Sequence, residues 1–273
     1  MEDWRLIVDP PSDGAENMAT DEALLLSSAS GDWAGPVLRL YGWRTPTISI
    51  GYLQDAAPLL EAGLPVVRRI TGGRAVLHDS EITYSVVASS VGEKFSGGVT
   101  AVYSAISRCI VAALKDAGVD ARFSAAMKGG SYRKSAACFS TYTRHEILAG
   151  KGKISGSSQR RLKDSFLQHG SIIFNIDRPL TASVFGESVL ERTACVSDFG
   201  EIGPGELRQY LVRRISDGLN AFFTPAVLSE AERALREKLL QSKYSSSGWN
   251  LNHRTPRKAA SFSTESRFSS SRG

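Results

Sequence analysis

Alternation of apolar and polar residues predicts four short strands in the first third of the chain, over residues 37–41, 47–51, 65–70 and 81–87. Successive side chains of a strand point to opposite faces, so each segment can bury one face and leave the other polar. A fifth segment of the same character covers residues 170–175. The pattern therefore predicts a sheet built from short strands.

Helical periodicity predicts the elements that pack on this sheet. Asn17 is predicted to cap a helix that continues through Leu26, with acidic residues in its first turn. Residues 100–117 have the spacing of an amphipathic helix, and residues 205–242 that of two helices separated at 223–225. Strands with helices between them are typical of a single mixed α/β domain.

The helix over residues 100–117 also indicates the role of one of the cysteines. Val102, Ile106, Cys109 and Ala113 fall on one face at steps of three and four residues. Cys109 is therefore predicted to be a buried core thiol without a chemical role.

The last residues of the chain differ from the rest in composition. From Arg254 onward the sequence is rich in Ser, Lys and Arg and has almost no apolar pattern. Such a segment cannot bury enough apolar surface to offset the entropy lost on ordering. We expect a folded domain over residues 1–250 and a disordered basic tail over 251–273.

Composition and the rare residues exclude several classes of protein. A hydrophobic fraction of 42% with 22% charged residues is ordinary for a globular protein with a core. The apolar runs are short and no secretory signal is evident, so we expect no membrane span and a cytoplasmic location. Three cysteines make a disulfide framework improbable, and the four histidines lack metal-ligand spacing, so no metal is expected.

The net charge of +5 is concentrated in two places. The tail from Arg254 carries five basic residues and one acid, which leaves the remainder nearly neutral. This distribution weakens a nucleic-acid interpretation. Residues 119–163 hold ten Lys and Arg against two acids, which suits an acidic partner or an anionic substrate. Solvated loop charges are the alternative explanation.

The most distinctive motif is Arg68-Arg69-Ile70-Thr71-Gly72-Gly73-Arg74, followed by His78. Paired glycines allow positive φ and let a ligand lie directly on the backbone. The arginines offer forked donors for an anionic or carbonyl-rich group. A tight hairpin with solvated arginines is the competing interpretation.

A second glycine-rich segment covers residues 150–161. It fits neither the P-loop pattern nor the dinucleotide-binding pattern, so neither ATP nor NAD is indicated by a phosphate-binding loop. Lys153 lies in this segment, which the composition predicts to be a loop. A lysine in such a loop is more often a solvated turn residue than a catalytic one.

Cys138 and Lys153 are the candidate catalytic pair. A thiol is a strong nucleophile only as thiolate, and a nearby cation lowers its pKa. Cys138 lies between two basic clusters, although a lone Cys among apolar neighbours is more often a small core residue. His145 and His169 are candidate general bases, and His169 could equally be a structural histidine bonded to backbone.

Taken together, these segments resemble the family of biotin protein ligases, lipoate–protein ligases and octanoyltransferases. The matching segments are Asn17-Met18-Ala19-Thr20-Asp21-Glu22, Leu40-Tyr41-Gly42-Trp43, Ser49-Ile50-Gly51-Tyr52, residues 68–78, Ala137-Cys138-Phe139, residues 153–159 and Leu167-Gln168-His169-Gly170-Ser171. Gly72-Gly73-Arg74 and the Ala-Cys-Phe context of Cys138 are most similar to the LipM-type octanoyl-[acyl carrier protein]:protein N-octanoyltransferases.

The resemblance implies the catalytic-domain fold of this family, a mixed and largely antiparallel sheet flanked by helices. It implies that Cys138 takes octanoyl from acyl carrier protein and passes it to a lysine of a lipoyl domain, such as glycine cleavage H protein. Lys153 would lower the thiol's pKa, and no cofactor is needed. The implied substrate-binding residues are Arg69, Gly72, Gly73, Arg74, His78, Gly156, Ser157, Gln159, His169 and Gly170.

Other functions fit parts of the same pattern. An ATP-dependent lipoate–protein ligase would use Lys153 at an acyl-adenylate and would not need Cys138. A binding module would merely dock an acidic carrier through the basic segment. We expect a monomer that binds neither nucleic acid nor membrane.

Overall fold

The computed structural model describes residues 1–31, 35–91, 94–95, 97–124 and 146–252. The strands in this part of the chain are β1 (Glu2–Val8), β2 (Val37–Tyr41), β3 (Thr47–Ile50), β4 (Val66–Arg68), β5 (Val76–His78), β6 (Glu81–Ser89), β7 (Ala121–Phe123), β8 (Ile147–Ala149), β9 (Gly152–Leu162), β10 (Ser165–Ile173) and β11 (Ala221–Pro225). The α-helices are α1 (Gly14–Ser30), α2 (Gly98–Asp116), α3 (Arg178–Phe185), α4 (Pro204–Leu219), α5 (Glu230–Leu239) and α6 (Ser247–Asn250).

The strands form one large sheet and one small sheet. The large sheet has the order β11-β1-β2-β6-β10-β9-β8-β7. Strand β1 runs parallel to both of its neighbours, and the remaining pairs are antiparallel. The small sheet has the order β4-β3-β5. The predicted mixed, largely antiparallel sheet with flanking helices is confirmed.

Helices cover both faces of the large sheet. Adjacent residues of β10 show the division, because Phe166 packs into the cluster that contains α2 and α4, and Leu167 into the cluster that contains α1. Helix α1 also packs against α5. Successive side chains of a strand therefore pack against opposite helix layers, which is why the strands show alternation in sequence.

Helix α2 forms much of the core. Cys109 is buried in it, with its thiol donating to the Ala105 carbonyl at 3.3 Å, and burial raises the pKa of the thiol to about 11. The predicted core role of Cys109 is confirmed. Among the described helices, α2 has the length and mean hydropathy, 1.3, that would allow it to cross a membrane, contrary to our expectation. Here its apolar face packs against α4 and the sheet.

The predicted start of the first helix was wrong. Helix α1 begins at Gly14 with Asp13 as its N-cap residue, and the acid in its first turn is Glu16. Asn17 lies inside the helix, where its amide donates to the Gly42 carbonyl at 2.9 Å. A buried tertiary contact, and not capping, is therefore what Asn17 provides.

The segment predicted to separate two C-terminal helices proved to be part of a strand. Residues 223–225 belong to β11, which pairs in parallel with β1 at the far end of the chain. Propensity alone marks this segment as a break because Pro225 ends helical periodicity. Its pairing partner is too distant in sequence to be recognised from local pattern.

Candidate active site

A pocket with a cavity volume of about 50 Å³ opens where α1 and the two sheets meet. Its walls are formed by Met18, Tyr41, Trp43, Ser49, Arg69, Gly73, Val76, His78, Thr83, Gly156, Ser157, Ser158, His169, Gly170 and Ser171. Apolar and aromatic side chains therefore share the walls with hydroxyls and two histidines.

Most of the predicted binding residues come together here, namely Arg69, Gly73, His78, Gly156, Ser157, His169 and Gly170. Gly72 and Arg74 adjoin the pocket, because the Arg69 guanidinium donates to both of their carbonyls. Gln159 lies on β9 with its amide bonded to Gln168 at 3.1 Å, away from the described pocket walls. Cys138 and His145 lie outside the described residues. The binding roles stay predictions.

The glycine turn is held against the small sheet. Gly73 has φ 97°, a conformation that favours glycine. A Cβ on Gly51 would lie 2.0 Å from the Gly73 carbonyl oxygen, so the turn can approach only because Gly51 has no side chain. The competing hairpin interpretation was wrong, because β4 and β5 lie on opposite sides of β3.

The two arginines of the motif bond to the protein's own backbone. The Arg68 guanidinium donates to the carbonyls of Gly51, Tyr52, Gln54 and Trp249. The Arg69 guanidinium donates to the carbonyl and hydroxyl of Ser49 and to the carbonyls of Gly72 and Arg74. The guanidinium groups that we expected to bind a ligand therefore hold the turn in place. Arg69 lines the pocket as a cation whose position is fixed by these hydrogen bonds.

One buried histidine–carboxylate pair lies beside this turn. His78 Nδ1 lies 2.7 Å from Glu81 Oε1, and its ring stacks on Trp43 with centroids 3.8 Å apart. Because the Glu81 carboxylate can only accept, we assign a ring proton to His78 Nδ1; Nε2 is hydrogen-bonded to Ser49 Oγ, which also accepts from Arg69. Burial raises the pKa of Glu81, but His78 and the hydrogen bonds to the carboxyl outweigh it, so the net shift is downward.

A second pair, Asp21 and His169, lies beneath the pocket and joins α1 to β10. Asp21 Oδ1 accepts hydrogen bonds from Arg39 and Ser85, and Oδ2 accepts from Tyr41 and His169 Nδ1, each at 2.9 Å. Burial raises the pKa of Asp21, but the hydrogen bond from His169 and the charge of Arg39 pull it below its usual value. Burial also lowers the pKa of His169, with Asp21 opposing the shift, so the ring is neutral at physiological pH.

Lys153 does not lie on a loop, as its glycine- and serine-rich surroundings predicted. It is the second residue of β9, its side chain is fully buried, and its ammonium lies 2.7 Å from Glu146. A Cβ on Gly152 would come within 2.6 Å of the backbone at Thr193, so small residues here permit close packing. Ladder pairing on both sides of β9 overrides the weak strand propensity of Gly and Ser.

Residues 13–216 match the family described as the lipoyl protein ligase A/B catalytic domain. The chain belongs to this family. Octanoyltransferase LipM of Moorella thermoacetica is 38% identical over 269 residues, covering 91% of this chain and 97% of that protein. Octanoyltransferase LipM of Carboxydothermus hydrogenoformans is 36% identical over 268 residues, covering 91% and 98%. The crystal structure of lipoate-protein ligase A bound with ATP superposes with a TM-score of 0.77 at 30% identity, covering 92% of this chain and 99% of that one.

The matched region of this lipoyl protein ligase family includes every residue of the pocket wall. Sequence reasoning nevertheless missed Asp21, Glu81, Thr71 and Ser158 as members of the site. The available signal was Asp21 itself, which with Glu22 stands just before the apolar run that ends at Leu26. It was interpreted as a helix-start acid, whereas it lies well inside α1 and is 1% exposed. Among the described residues no cluster of metal-ligating side chains is present.

Proposed function

We propose that this chain transfers an octanoyl group from acyl carrier protein to a lysine of a lipoyl domain, with Cys138 carrying the group as a thioester. The observation that carries the proposal is similarity along nearly the whole chain to two proteins named octanoyltransferase. Similarity of this extent includes both the pocket and the segment that contains Cys138.

The pocket chemistry supports an acyl ligand. Met18, Trp43 and Val76 offer apolar walls, which favour burial of a hydrocarbon chain. The cation in the wall, Arg69, directs its donors to Ser49 and to the glycine turn. An uncharged chain therefore fits these walls better than an anionic group.

The other two cysteines are poor nucleophiles. Cys109 and Cys195 are both buried, and burial raises the pKa of each thiol. A thiol with a raised pKa is mostly protonated and reacts slowly. We therefore assign the acyl thioester to Cys138, the remaining cysteine of the chain.

Lys153 is proposed to stabilise the Cys138 thiolate. A buried ammonium needs a counterion, and Glu146 supplies one at 2.7 Å. This pairing fixes the ammonium in one position inside the protein. A fixed cation lowers the pKa of a neighbouring thiol more effectively than a solvated one, because less water screens it.

Two acyl transfers complete the proposed reaction. The Cys138 thiolate attacks the thioester carbonyl of the octanoyl carrier protein, and the carrier thiolate leaves. The acceptor lysine amine then attacks the new thioester, so that a C–N bond forms and the C–S bond to Cys138 breaks. Exchange of one thioester for another is nearly isoenergetic and amide formation is downhill, so this scheme needs no ATP or other cofactor.

The partners follow from the same proposal. The donor is octanoyl-acyl carrier protein, and the acceptor is a lipoyl domain such as that of glycine cleavage H protein. Basic residues in the segment 119–163 would attract acidic partners and speed their encounter. We propose that a catalytic domain over residues 1–250 acts as a monomer in the cytoplasm.

Intact-mass spectrometry tests the proposal. The protein is incubated with octanoyl-acyl carrier protein in the absence of ATP, and we expect a mass increase of one octanoyl group that maps to Cys138. Cys138→Ser should take up no acyl group, whereas the matched variant Cys195→Ser should be acylated like the wild type. An adduct that persists in Cys138→Ser would contradict the assignment.

An ATP-dependent lipoate–protein ligase remains the second candidate, because a lipoate-protein ligase bound with ATP has a similar fold at 30% identity. In a ligase, Cys138→Ser would keep its activity, and modification of the lipoyl domain would require both lipoate and ATP. The transferase should lose nearly all activity in the same variant and be indifferent to ATP.

A further inference from the structure

Four polar side chains form a continuous line from the pocket into the protein. Ser158 Oγ lies 2.8 Å from Thr71 Oγ1, Thr71 Oγ1 lies 2.7 Å from His169 Nε2, and His169 Nδ1 lies 2.9 Å from Asp21 Oδ2. Ser158 and His169 both line the pocket; Ser158 is partly exposed, whereas the other three side chains are at least 96% buried. The line has one end in the pocket and the other at a buried carboxylate.

All the hydrogens along this line point in one direction. The geometry makes Ser158 the donor to Thr71. The Asp21 carboxylate can only accept, so His169 Nδ1 carries the ring proton, and Nε2 of the neutral ring accepts the hydrogen of Thr71. His169 donates its ring proton to Asp21. Ser158, Thr71 and His169 are therefore donors toward Asp21, and Thr71 and His169 also accept from the pocket side.

We propose that Ser158, Thr71, His169 and Asp21 form a proton relay that removes the proton released in the pocket when the acceptor amine forms its amide. This inference deepens the proposed function. It rests on that function because it requires an amine to be acylated in this pocket. Ser158 meets the substrate, and the other three residues act through it.

The relay balances the amide-forming step. As the amine nitrogen bonds to the acyl carbon, its proton passes to Ser158 Oγ, the Ser158 proton to Thr71 Oγ1, and the Thr71 proton to His169 Nε2. The C–S bond then breaks and its electron pair leaves with sulfur. The proton on His169 returns through the same hydroxyls to that thiolate or to water, which restores the relay.

The surroundings of His169 suit a group that gains and loses a proton. Burial lowers the pKa of His169, so the ring is neutral and Nε2 can accept. The imidazolium that forms on proton transfer lies against the Asp21 carboxylate, which stabilises it. The other charged or titratable groups that act on this pair are Arg39 and Tyr41 of β2, Arg69 after β4, and His78 of β5.

The second histidine pair differs in the hydroxyl through which it meets the pocket. The hydroxyl next to His78 belongs to Ser49, and its oxygen accepts a hydrogen bond from the Arg69 guanidinium at 2.6 Å. A cation bonded to that oxygen opposes its uptake of a proton. Among the described residues, Ser158 Oγ is hydrogen-bonded to Thr71 and to no cation, which makes the His169 line the better route.

Thr71→Val tests the relay because it removes the hydroxyl while nearly preserving the side-chain volume. Acyl-enzyme is formed first, a lipoyl domain is added, and amide formation is followed in a single turnover. We expect the amide-forming rate to fall about 10²-fold, the lower range for general base catalysis, with acylation unchanged. Thr71→Ser should keep most of the rate, and Thr47→Val, a buried threonine outside the pocket wall, should match the wild type.

The pH profile separates a relay from a purely structural role. Protonation of the acceptor lysine lowers the rate of both proteins as the pH falls. The wild type should show an additional fall as His169 becomes protonated, and Thr71→Val should lack this additional fall. A Thr71→Val rate equal to the wild type, or an equal loss in Thr71→Ser, would overturn the relay. If the wild type takes up no octanoyl, the proposed function fails separately, and the same variants are compared with lipoate and ATP, since an amine loses a proton there too.

Discussion

Replacing Asp21 by Asn probes the buried network beneath the pocket. The change keeps the side-chain shape and removes the carboxylate that faces Arg39, Tyr41, Ser85 and His169. The side-chain oxygen of the new Asn should still accept from Arg39, because a guanidinium cannot accept a hydrogen bond from the amide nitrogen. Its amide group then faces His169, whose Nδ1 must become an acceptor, so the ring switches tautomer.

The expected cost follows from the burial of the Arg39–Asp21 pair, in which the two side chains are 2% and 1% exposed. Removing one partner of a buried ion pair costs about 3–5 kcal/mol. Arg39 retains Asp9 at 2.6 Å, which places the loss near the lower end, about 3 kcal/mol. For a domain of this size we expect a Tm lower by about 6–12 °C.

Chemical denaturation and calorimetry measure this loss, with Asp13→Asn as the matched control. Asp13 pairs with Arg44 at the surface, and Asn serves equally well at a helix N-cap, so the control should lose less than about 1 kcal/mol. Equal stability of Asp21→Asn and the control at neutral pH would refute the reasoning.

The pH dependence provides a second check on the same variant. The pKa of Asp21 is lower in the folded state than in the unfolded state, so its stabilisation is complete above the unfolded value, about 3.9. That stabilisation is lost as the pH falls through the folded pKa. The difference in unfolding free energy between wild type and Asp21→Asn should therefore shrink below about pH 4.

Three further predictions concern packing, the buried ion pair and His169. Gly170→Ala places a Cβ 2.7 Å from a backbone oxygen and should cost about 1–3 kcal/mol in unfolding free energy, whereas Gly200→Ala meets open space and should cost almost nothing. Glu146→Gln should destabilise by about 3–5 kcal/mol in urea titration, and adding Lys153→Met should recover much of that loss; no recovery would contradict the pairing. Because burial lowers the pKa of His169, its neutral form stabilises the fold above about pH 6.5 and loses that effect as the pH falls, so His169→Asn should flatten the acid slope of the unfolding midpoint.

Local sequence pattern was sufficient to predict the strands β2, β3, β4 and β6. It failed for β9 and for the contacts between strands. The strands β2, β3, β4 and β6 were found because alternation is a property of neighbouring residues. Strand β9 was missed because its Gly and Ser content resembles a loop, and only pairing with β8 and β10 makes it a strand.

The candidate site shows the same division. The glycine motif and His169 were identifiable as short sequence features, and the structure brings Gly73, His78 and His169 into one pocket. The Asp21–His169 contact joins residues 148 positions apart, and nothing local to either residue announces it. We expected the Arg69 guanidinium to bind a ligand. It donates instead to backbone carbonyls, and no sequence pattern reveals which carbonyls will lie nearby.

The parallel insertion of β1 between β2 and β11 has a consequence for biosynthesis. Glu2 lies opposite Ala221, so β1 is translated long before its partner strand β11. Until then β1 presents an unpaired edge that can recruit a neighbouring nascent chain. Ribosome-bound intermediates that stop short of residue 221 should therefore depend on chaperones more than intermediates in which β11 has emerged.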